Sequence, residues 1–185
     1  MIRFVTTNRG KFREVRPMFA AAGIPLRQLD REYPEVQADS LEEVLAYAAG
    51  VLDREVGGDY LADDSGLFVD ALRGFPGVFS AHAYRTLGCK GLLRLLAGTR
   101  NRGARFECRF LVCVGGRRAL LSGTCRGRIA AEARGARGFG FDPIFVPAGH
   151  RRTLAEMTTE EKNAQSHRGR AAREVIRYLR SRRLA

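Results

Sequence analysis

Apolar positions along the chain change their period several times, and each change marks an element. IRFVT, residues 2–6, is a short apolar run that reads as a buried first strand. The tight TNRGK turn follows it, and then a helical stretch over about 12–22 that contains Pro17, where a proline kinks a helix. A second strand is predicted over 25–30, and the extended REYPEVQAD leads from it to Ser40. Ser40 and Glu43 have capping-box spacing, with Leu41, Val44, Leu45, Ala48 and Leu52 at helical period behind them. YLADDSGLF, residues 60–68, reads as a third strand delivering Asp63 and Asp64, and LFVDAL as a continuation into another. GFPGVFS is a rigid Pro-Gly loop, and a helix over about 87–97 follows. Residues 104–114 and 118–130 are long strand-like segments joined at Gly115-Gly116, and alternation puts Phe106, Cys108, Phe110, Val112 and Val114 on one face. That pattern predicts a hairpin with one face on a core. The chain closes with a helix over roughly 167–182, whose basic outer positions read as a solvated face. Helices alternating with strands around a central hairpin indicate an α/β fold with a mixed sheet.

Composition narrows the class. At 185 residues and 45% hydrophobic, with no internal repeat or low-complexity linker, the chain is expected to form one domain over 1–185. No apolar run is long enough to cross a bilayer and MIRFVTTNRGK lacks the regions of a signal peptide, so a soluble cytoplasmic protein is expected. Cys89, Cys108, Cys113 and Cys125 form no CxxC pair, and His82, His150 and His167 are scattered, so no zinc set is visible. The net charge of +12 raises nucleic acid as a partner. Its make-up weakens that signal, because 29 arginines stand against only Lys11, Lys90 and Lys162. A lysine that survives such a bias hints at a specific contact, since ammonium and guanidinium are not equivalent at a defined site.

Four segments carry candidate chemistry, each with a plainer reading beside it. TTNRGK, residues 6–11, is an ordinary strand-to-helix turn or an anion cradle in which backbone N–H groups, a helix dipole and Lys11 converge. DDSG is a turn after a strand, or it supplies a carboxylate for a hard cation such as Mg²⁺, which with Glu35 makes the set a Mg²⁺-nucleotide site needs. Strand alternation sends Asp63 and Asp64 to opposite sides, so one cation does not receive both. GFGFDP, residues 138–143, is a buried turn or a surface on which Phe139 or Phe141 lies against a heterocyclic base. EEKNAQSHRG, residues 160–169, is a charged helix start or a group of donors, Lys162, Ser166, His167 and Arg168, suited to purine carbonyls and phosphates.

Taken in order, TTNRGK, YPEVQAD, ADDSGLFVDALRGFPGVFSA, GFGFDPIF and TLAEMTTEEKNAQSHRG strongly resemble the inosine/xanthosine triphosphate pyrophosphatase family, archaeal-type members above all. The resemblance runs from Thr6 to about Gly169. It implies an elongated mixed central sheet flanked by helices, in two lobes with the active-site cleft between them. It implies Mg²⁺-dependent hydrolysis of ITP, dITP and XTP between the α and β phosphates, with one Mg²⁺ or more per subunit. Carried over residue by residue, Thr6, Thr7, Asn8, Arg9, Gly10 and Lys11 cradle the phosphates. Glu35 and Asp64 hold the metal, Asp64 and Lys11 are catalytic, and Ser65 completes the polar floor. Phe139, Gly140, Phe141 and Asp142 face the purine, which Lys162, His167 and Arg168 read. In this scheme Asp63 is a supporting or turn-capping carboxylate, with Ser65 and Gly66 bending the chain. Thr7 stands where many members carry Gly, and Phe141 where many carry Tyr or Trp. A homodimer is implied, with the long central strands as its interface, and neither a membrane nor a specific nucleic acid as a partner. The rival readings are a nucleic-acid-binding protein using its positive charge, and a nucleotide-binding regulator that has lost catalysis.

Overall fold

A computed structural model describes residues 1–34 and 36–182 of the chain. Among these residues seven strands form one mixed sheet in the order β2-β1-β3-β5-β6-β7, with β4 paired to β3 off that path. The chain runs β1 (Ile2–Val5), α1 (Arg9–Ala21), β2 (Leu26–Leu29), α2 (Leu41–Glu55), β3 (Tyr60–Val69), β4 (Pro76–Gly77), α3 (Ser80–Thr86) and α4 (Gly88–Leu95). The hairpin β5 (Gly103–Val114) and β6 (Arg117–Ile129) follows, then β7 (Phe145–Pro147), α5 (Thr159–Gln165) and α6 (His167–Ser181).

The hairpin forms where the alternation places it, Val114 pairing with Arg117 across Gly115-Gly116. Phe110, Cys108, Val112 and Val114 face α1 and α6, where they bury Phe4, Val15, Phe19, Ala172, Val175 and Leu179. Burying a side chain of the size of Phe or Leu in this way stabilises by about 1.5–3 kcal/mol. The opposite face of the sheet is covered by α2 through Leu45, Ala48 and Leu52 against Val5, Tyr60, Ala62 and Leu111. A third cluster packs α3 and α4 and the segment around Phe141–Met157 onto the far ends of β3, β5 and β6, with Phe106 and Phe145 meeting edge to face at 4.8 Å.

Three boundaries differ from the sequence pattern. The helix expected over about 87–97 is α4, and a helix that the pattern did not show, α3, precedes it directly after the Pro-Gly loop, the two divided where Gly88 takes a φ of 61°. At α2 the Ser40 hydroxyl accepts from Glu43 N, but the Glu43 carboxylate reaches back to the N–H of Asp39 rather than of Ser40. Reciprocal capping boxes occur instead at Thr153/Glu156 and Thr158/Glu161, where they start the turn and the helix leading to α6.

The third difference bears on the site. Ser65 and Gly66 do not bend the chain, and LFVDAL is not a separate strand: β3 runs straight from Tyr60 to Val69, paired with β5 at every position from Tyr60↔Cys113 to Val69↔Ala104. Ten consecutive antiparallel pairs outweigh the turn propensity of Asp, Ser and Gly. Gly66 serves a different need, since a Cβ there would lie 2.3 Å from the carbonyl oxygen of Gly77 on β4.

Candidate active site

The position of the site follows from what β3 lacks on its other edge. There it pairs with β1 only through Ala62 and with β4 only from Leu67, so residues 63–66 face a gap between two neighbouring strands. The end of β1 and the start of α1 border this gap. A cleft of about 730 Å³ opens over it, large enough for a nucleotide. Thr6, Thr7, Asn8 and Lys11 line it on one side, Asp64 and Ser65 on its floor, and Tyr84, Phe139, Phe141, His167 and Arg168 toward the other end.

At the first end the turn after β1 is tightly organised. Asn8 caps α1, its Oδ1 accepting from the N–H groups of Gly10 (2.9 Å) and Lys11 (3.2 Å). Thr6 Oγ1 accepts from Asn8 N at 3.1 Å, and Gln28 Nε2 donates to the Thr6 carbonyl at 2.9 Å. The helix N-terminus supplies the positive end of its dipole, and no acidic residue in the first turn offsets it. Lys11 Nζ donates to the Asp63 carbonyl at 3.1 Å and lies 3.1 Å from Asp63 Oδ1. Tyr33 donates its phenol to the same carbonyl at 3.1 Å, so the exposed edge of β3 is tied down from two sides.

The two aspartates have the opposite orientations that alternation requires. Asp63 is 1% exposed and faces α1 and α6, between Lys11 and Arg168 (Nε to Oδ2, 3.2 Å). Burial would raise its pKa, but Lys11 and Arg168 together hold it below the usual carboxylate value. Asp63 is therefore a buried counter-ion, not a turn cap. Asp64 is half-buried, lines the cleft, and accepts from Ser65 N at 2.8 Å. The expected second metal carboxylate, Glu35, lies outside the described residues.

Asp63 is one member of a buried network of charges. Arg168, 2% exposed, donates Nη1 to Glu14 Oε2 (2.8 Å) and Nη2 to Ser65 Oγ (2.7 Å). Lys162 Nζ donates to Glu14 Oε1 at 2.5 Å and to Asp142 Oδ2. Burial opposes the Arg168 charge, but Asp63 and Glu14 outweigh it and raise its pKa above the usual guanidinium value. Burial likewise lifts Glu14, and Arg168 and Lys162 bring it to a net value below normal. Asp142 ends above normal, burial and Glu14 outweighing Lys162. Three cations, Lys11, Lys162 and Arg168, thus face three carboxylates, Glu14, Asp63 and Asp142.

At the other end Phe139 is half-buried over these cations, 4.9 Å from Lys162 Nζ and 5.4 Å from Arg168 Cζ. Asp142 fixes its backbone, accepting from Phe139 N at 2.7 Å. Gly10 lets the phosphate-suited turn approach the same ring, since a Cβ there would meet Phe139 at 2.7 Å. Phe141 is buried and meets Tyr84 edge to face at 5.4 Å. His167 stacks on Phe106 at 4.5 Å with an interplanar angle of 11°, and its buried Nδ1 has no hydrogen-bond partner among the described residues. Burial, with Arg168, Lys162 and Lys11 adding to it, pushes His167 well below its ordinary pKa, so the ring is neutral at pH 7.

Of the residues named from the sequence, Thr6, Thr7, Asn8, Lys11, Asp64, Ser65, Phe139, Gly140, Phe141, Asp142, His167 and Arg168 are brought together around the cleft. Arg9, Gly10 and Lys162 do not line it. Arg9 is exposed on the outer side of α1, Gly10 sits behind Phe139, and the ammonium of Lys162 is consumed by Glu14 and Asp142. Glu14, Tyr33, Tyr84 and Phe106 were missed. Glu14 carried one usable signal, a carboxylate at a helix position flanked by the buried Val15 and one turn from Lys11. Among the described residues no cluster of three or more His, Cys, Asp or Glu side chains could hold a metal by itself. The four cysteines are free thiols.

Comparison with known proteins extends the picture beyond geometry. Residues 2–178 match the model of the Ham1 family. The dITP/XTP pyrophosphatase of Thermococcus kodakarensis is 52% identical over 178 residues, covering 96% of each chain. That of Pyrococcus horikoshii is 46% identical over the same length and coverage. The solved Ham1 protein of Staphylococcus aureus superposes with a TM-score of 0.83 at 27% identity, covering 98% of this chain and 100% of its own.

Proposed function

Because the chain belongs to the Ham1 family, we propose that it is a pyrophosphohydrolase that cleaves ITP, dITP and XTP to the monophosphate and pyrophosphate and so clears non-standard purines from the nucleotide pool. Relatives named dITP/XTP pyrophosphatase over nearly the full chain support the activity. The observation that carries it to these residues is one cleft holding an anion-suited helix start and a carboxylate at one end, and an aromatic ring over buried cations at the other. In this reading residues 1–185 work as one domain.

Phosphoryl transfer asks mainly for positioning and charge neutralisation. The positive end of the α1 dipole, whose first N–H groups are held by the Asn8 cap, and the Lys11 ammonium attract the polyphosphate, and the Asp63 contacts fix where that ammonium stands. Asp64 is oriented by the Ser65 N–H, so that its carboxylate points across the cleft floor and takes up or directs the attacking water. A hard cation that keeps its waters and is completed by substrate phosphates needs only one or two protein carboxylates, which fits a cleft where Asp64 is present and no larger cluster is described. Asp64 with Glu35 would hold Mg²⁺, which when bound neutralises phosphate charge and activates water.

Phe139 stacks the purine, while neutral His167 and the Arg168 guanidinium offer donors toward O6. The 6-amino group of adenine would leave such donors unpaired, and that costs about 1–3 kcal/mol per group. Lys162 acts one step back, holding Asp142 and the underside of Phe139 rather than touching the base. The half-exposed outer face of β5–β6, with Leu120 43% exposed, supports a homodimer through the long strands, and a monomeric sedimentation coefficient would contradict it. No described helix is long and apolar enough to cross a membrane, and action on the nucleotide pool implies the cytoplasm.

The test is pyrophosphate release from ITP, XTP, dITP, ATP and GTP with Mg²⁺ and with EDTA. The expected result is Mg²⁺-dependent turnover of the first three at least tenfold above ATP. Equal rates across the panel, or none, would overturn the proposal.

A further inference from the structure

We propose that the outward face of the α1–α6 layer binds the phosphate backbone of a nucleic-acid strand without regard to sequence, at a place distinct from the cleft. The two helices lie side by side and run in the same direction. Asn8 and His167, at their N-terminal ends, both line the cleft, and Arg180 near the end of α6 donates to the carbonyl of Ala22 just past the end of α1 at 3.0 Å. Their apolar sides meet in the core, so their remaining sides look outward together.

That outward side is lined with guanidinium groups. Arg13 and Arg16 on α1 and Arg170, Arg173, Arg177 and Arg180 on α6 are exposed, at spacings of three and four residues that keep each set on one stripe. On these two helices the carboxylates are Glu14, buried in the network described above, and Glu174, which pairs with Arg177. Elsewhere many arginines face a carboxylate, as in Arg31–Glu55, Arg105–Glu107, Arg118–Asp53 and Arg152–Glu161. Arg170 and Arg173 are held in place by the carbonyls of Gln165, Asn163 and Ala164, which fixes the cations without neutralising them. At Arg173 burial lowers the pKa first and Arg170 lowers it further, with Glu174 opposing and Arg177 adding a smaller push in the same direction as Arg170.

From Arg170 to Arg180 the α6 stripe is about 15 Å long, enough for several successive phosphates at about 3.4 Å of axis each. A bilayer surface fits less well. An interfacial helix inserts an apolar face, whereas Val15, Phe19, Val175 and Leu179 are buried here and none of the large exposed apolar side chains lies on α1 or α6.

The test is fluorescence anisotropy of a labelled 20-nucleotide oligo(dT) with the full-length protein at 50–200 mM salt. With six contacts, log K should fall against log salt with a slope of about −4. Combining Arg13→Glu, Arg16→Glu and Arg177→Glu should weaken binding at least tenfold at 50 mM salt and reduce the slope by about 2. Melting temperature and ITP turnover should not change. Arg170→Gln with Arg180→Gln, which keeps the helix surface polar, should weaken it at least threefold. The same charge change placed elsewhere, Arg54→Glu with Arg94→Glu and Arg117→Glu, should cost less than threefold. No binding at 50 mM salt, an equal loss in the displaced-charge variant, displacement of the strand by saturating ITP, or binding to phosphatidylserine vesicles but not to oligo(dT) would each overturn the proposal.

Discussion

Replacing Asp63 by Asn separates stability from chemistry in this protein. The substitution keeps the size of the side chain and removes one charge from a site that is 1% exposed, between Lys11 at 3.1 Å and Arg168 at 3.2 Å. Breaking a buried pair by removing one partner typically costs about 3–5 kcal/mol, because the other charge is left without compensation. Two features favour the lower end. The Lys11 side chain is 17% exposed and swings toward water, and Arg168 keeps Glu14 at 2.8 Å. A loss of about 3 kcal/mol lowers the melting temperature of a chain of this size by about 6–12 °C, measurable by calorimetry or circular dichroism. Because Lys11 loses its prop, KM for ITP should rise while turnover persists. Asp64→Asn should do the reverse, abolishing turnover while melting within about 2 °C of wild type, since its carboxylate faces the cleft. In double-mutant cycles Asp63→Asn should couple to Arg168→Met more strongly than to Lys11→Met, because Arg168 alone cannot reach solvent. An Asp63→Asn protein that melts within 2 °C of wild type, or an Asp64→Asn protein that loses as much stability as Asp63→Asn, would refute this reasoning.

Two further outcomes are expected. Gly66→Ala should disrupt β4 and lower the melting temperature by more than 5 °C, because a Cβ meets the Gly77 carbonyl at 2.3 Å and backbone must move; a fully stable variant would show that β4 shifts freely. His167 is held neutral with a depressed pKa, so the unfolded chain binds its proton more readily than the native one. Its contribution to stability is present above the unfolded value of about 6.5 and is lost as pH falls below it. Melting temperature should therefore drop between pH 7 and pH 5, and His167→Gln should flatten that drop; an equal slope in both proteins would count against a buried neutral ring.

The elements that sequence made legible are those whose signal is periodic. Phe106, Cys108, Phe110, Val112 and Val114 alternate along β5 up to its last residue, so the hairpin was readable to the residue at Gly115-Gly116. Ser40 was readable because a cap is a local event, whereas the helix start at Asn8 lay inside what read as a turn, three residues ahead of the expected helix. Asp63-Asp64-Ser65-Gly66 misled for the converse reason. Their turn propensity is local, but the pairing of every one of them with β5 is made by residues more than forty positions away. The cleft residues could be named through the resemblance, yet which of them touch ligand and which stand behind it depends on burial. Lys162 and Arg168 look alike in sequence, and only their neighbours show that Arg168 reaches the cleft through Ser65 while Lys162 does not.

That difference bears on why six charges are buried together at all. A buried ion pair is a poor source of net stability, since desolvation offsets most of the attraction, and an apolar core of similar volume would hold α1, β3 and α6 together at least as well. What an apolar core would not do is fix a guanidinium and an ammonium at set positions beside a cleft. Glu14 receives Lys162 on one oxygen and Arg168 on the other, and Asp63 receives Arg168 and Lys11, so the cations at the two ends of the cleft are linked through shared carboxylates. Electrostatic groups held in advance of substrate need no reorganisation when charge arrives. The network is best understood as the structure that positions Lys11 and Arg168, with its cost to stability met by the apolar clusters on both faces of the sheet.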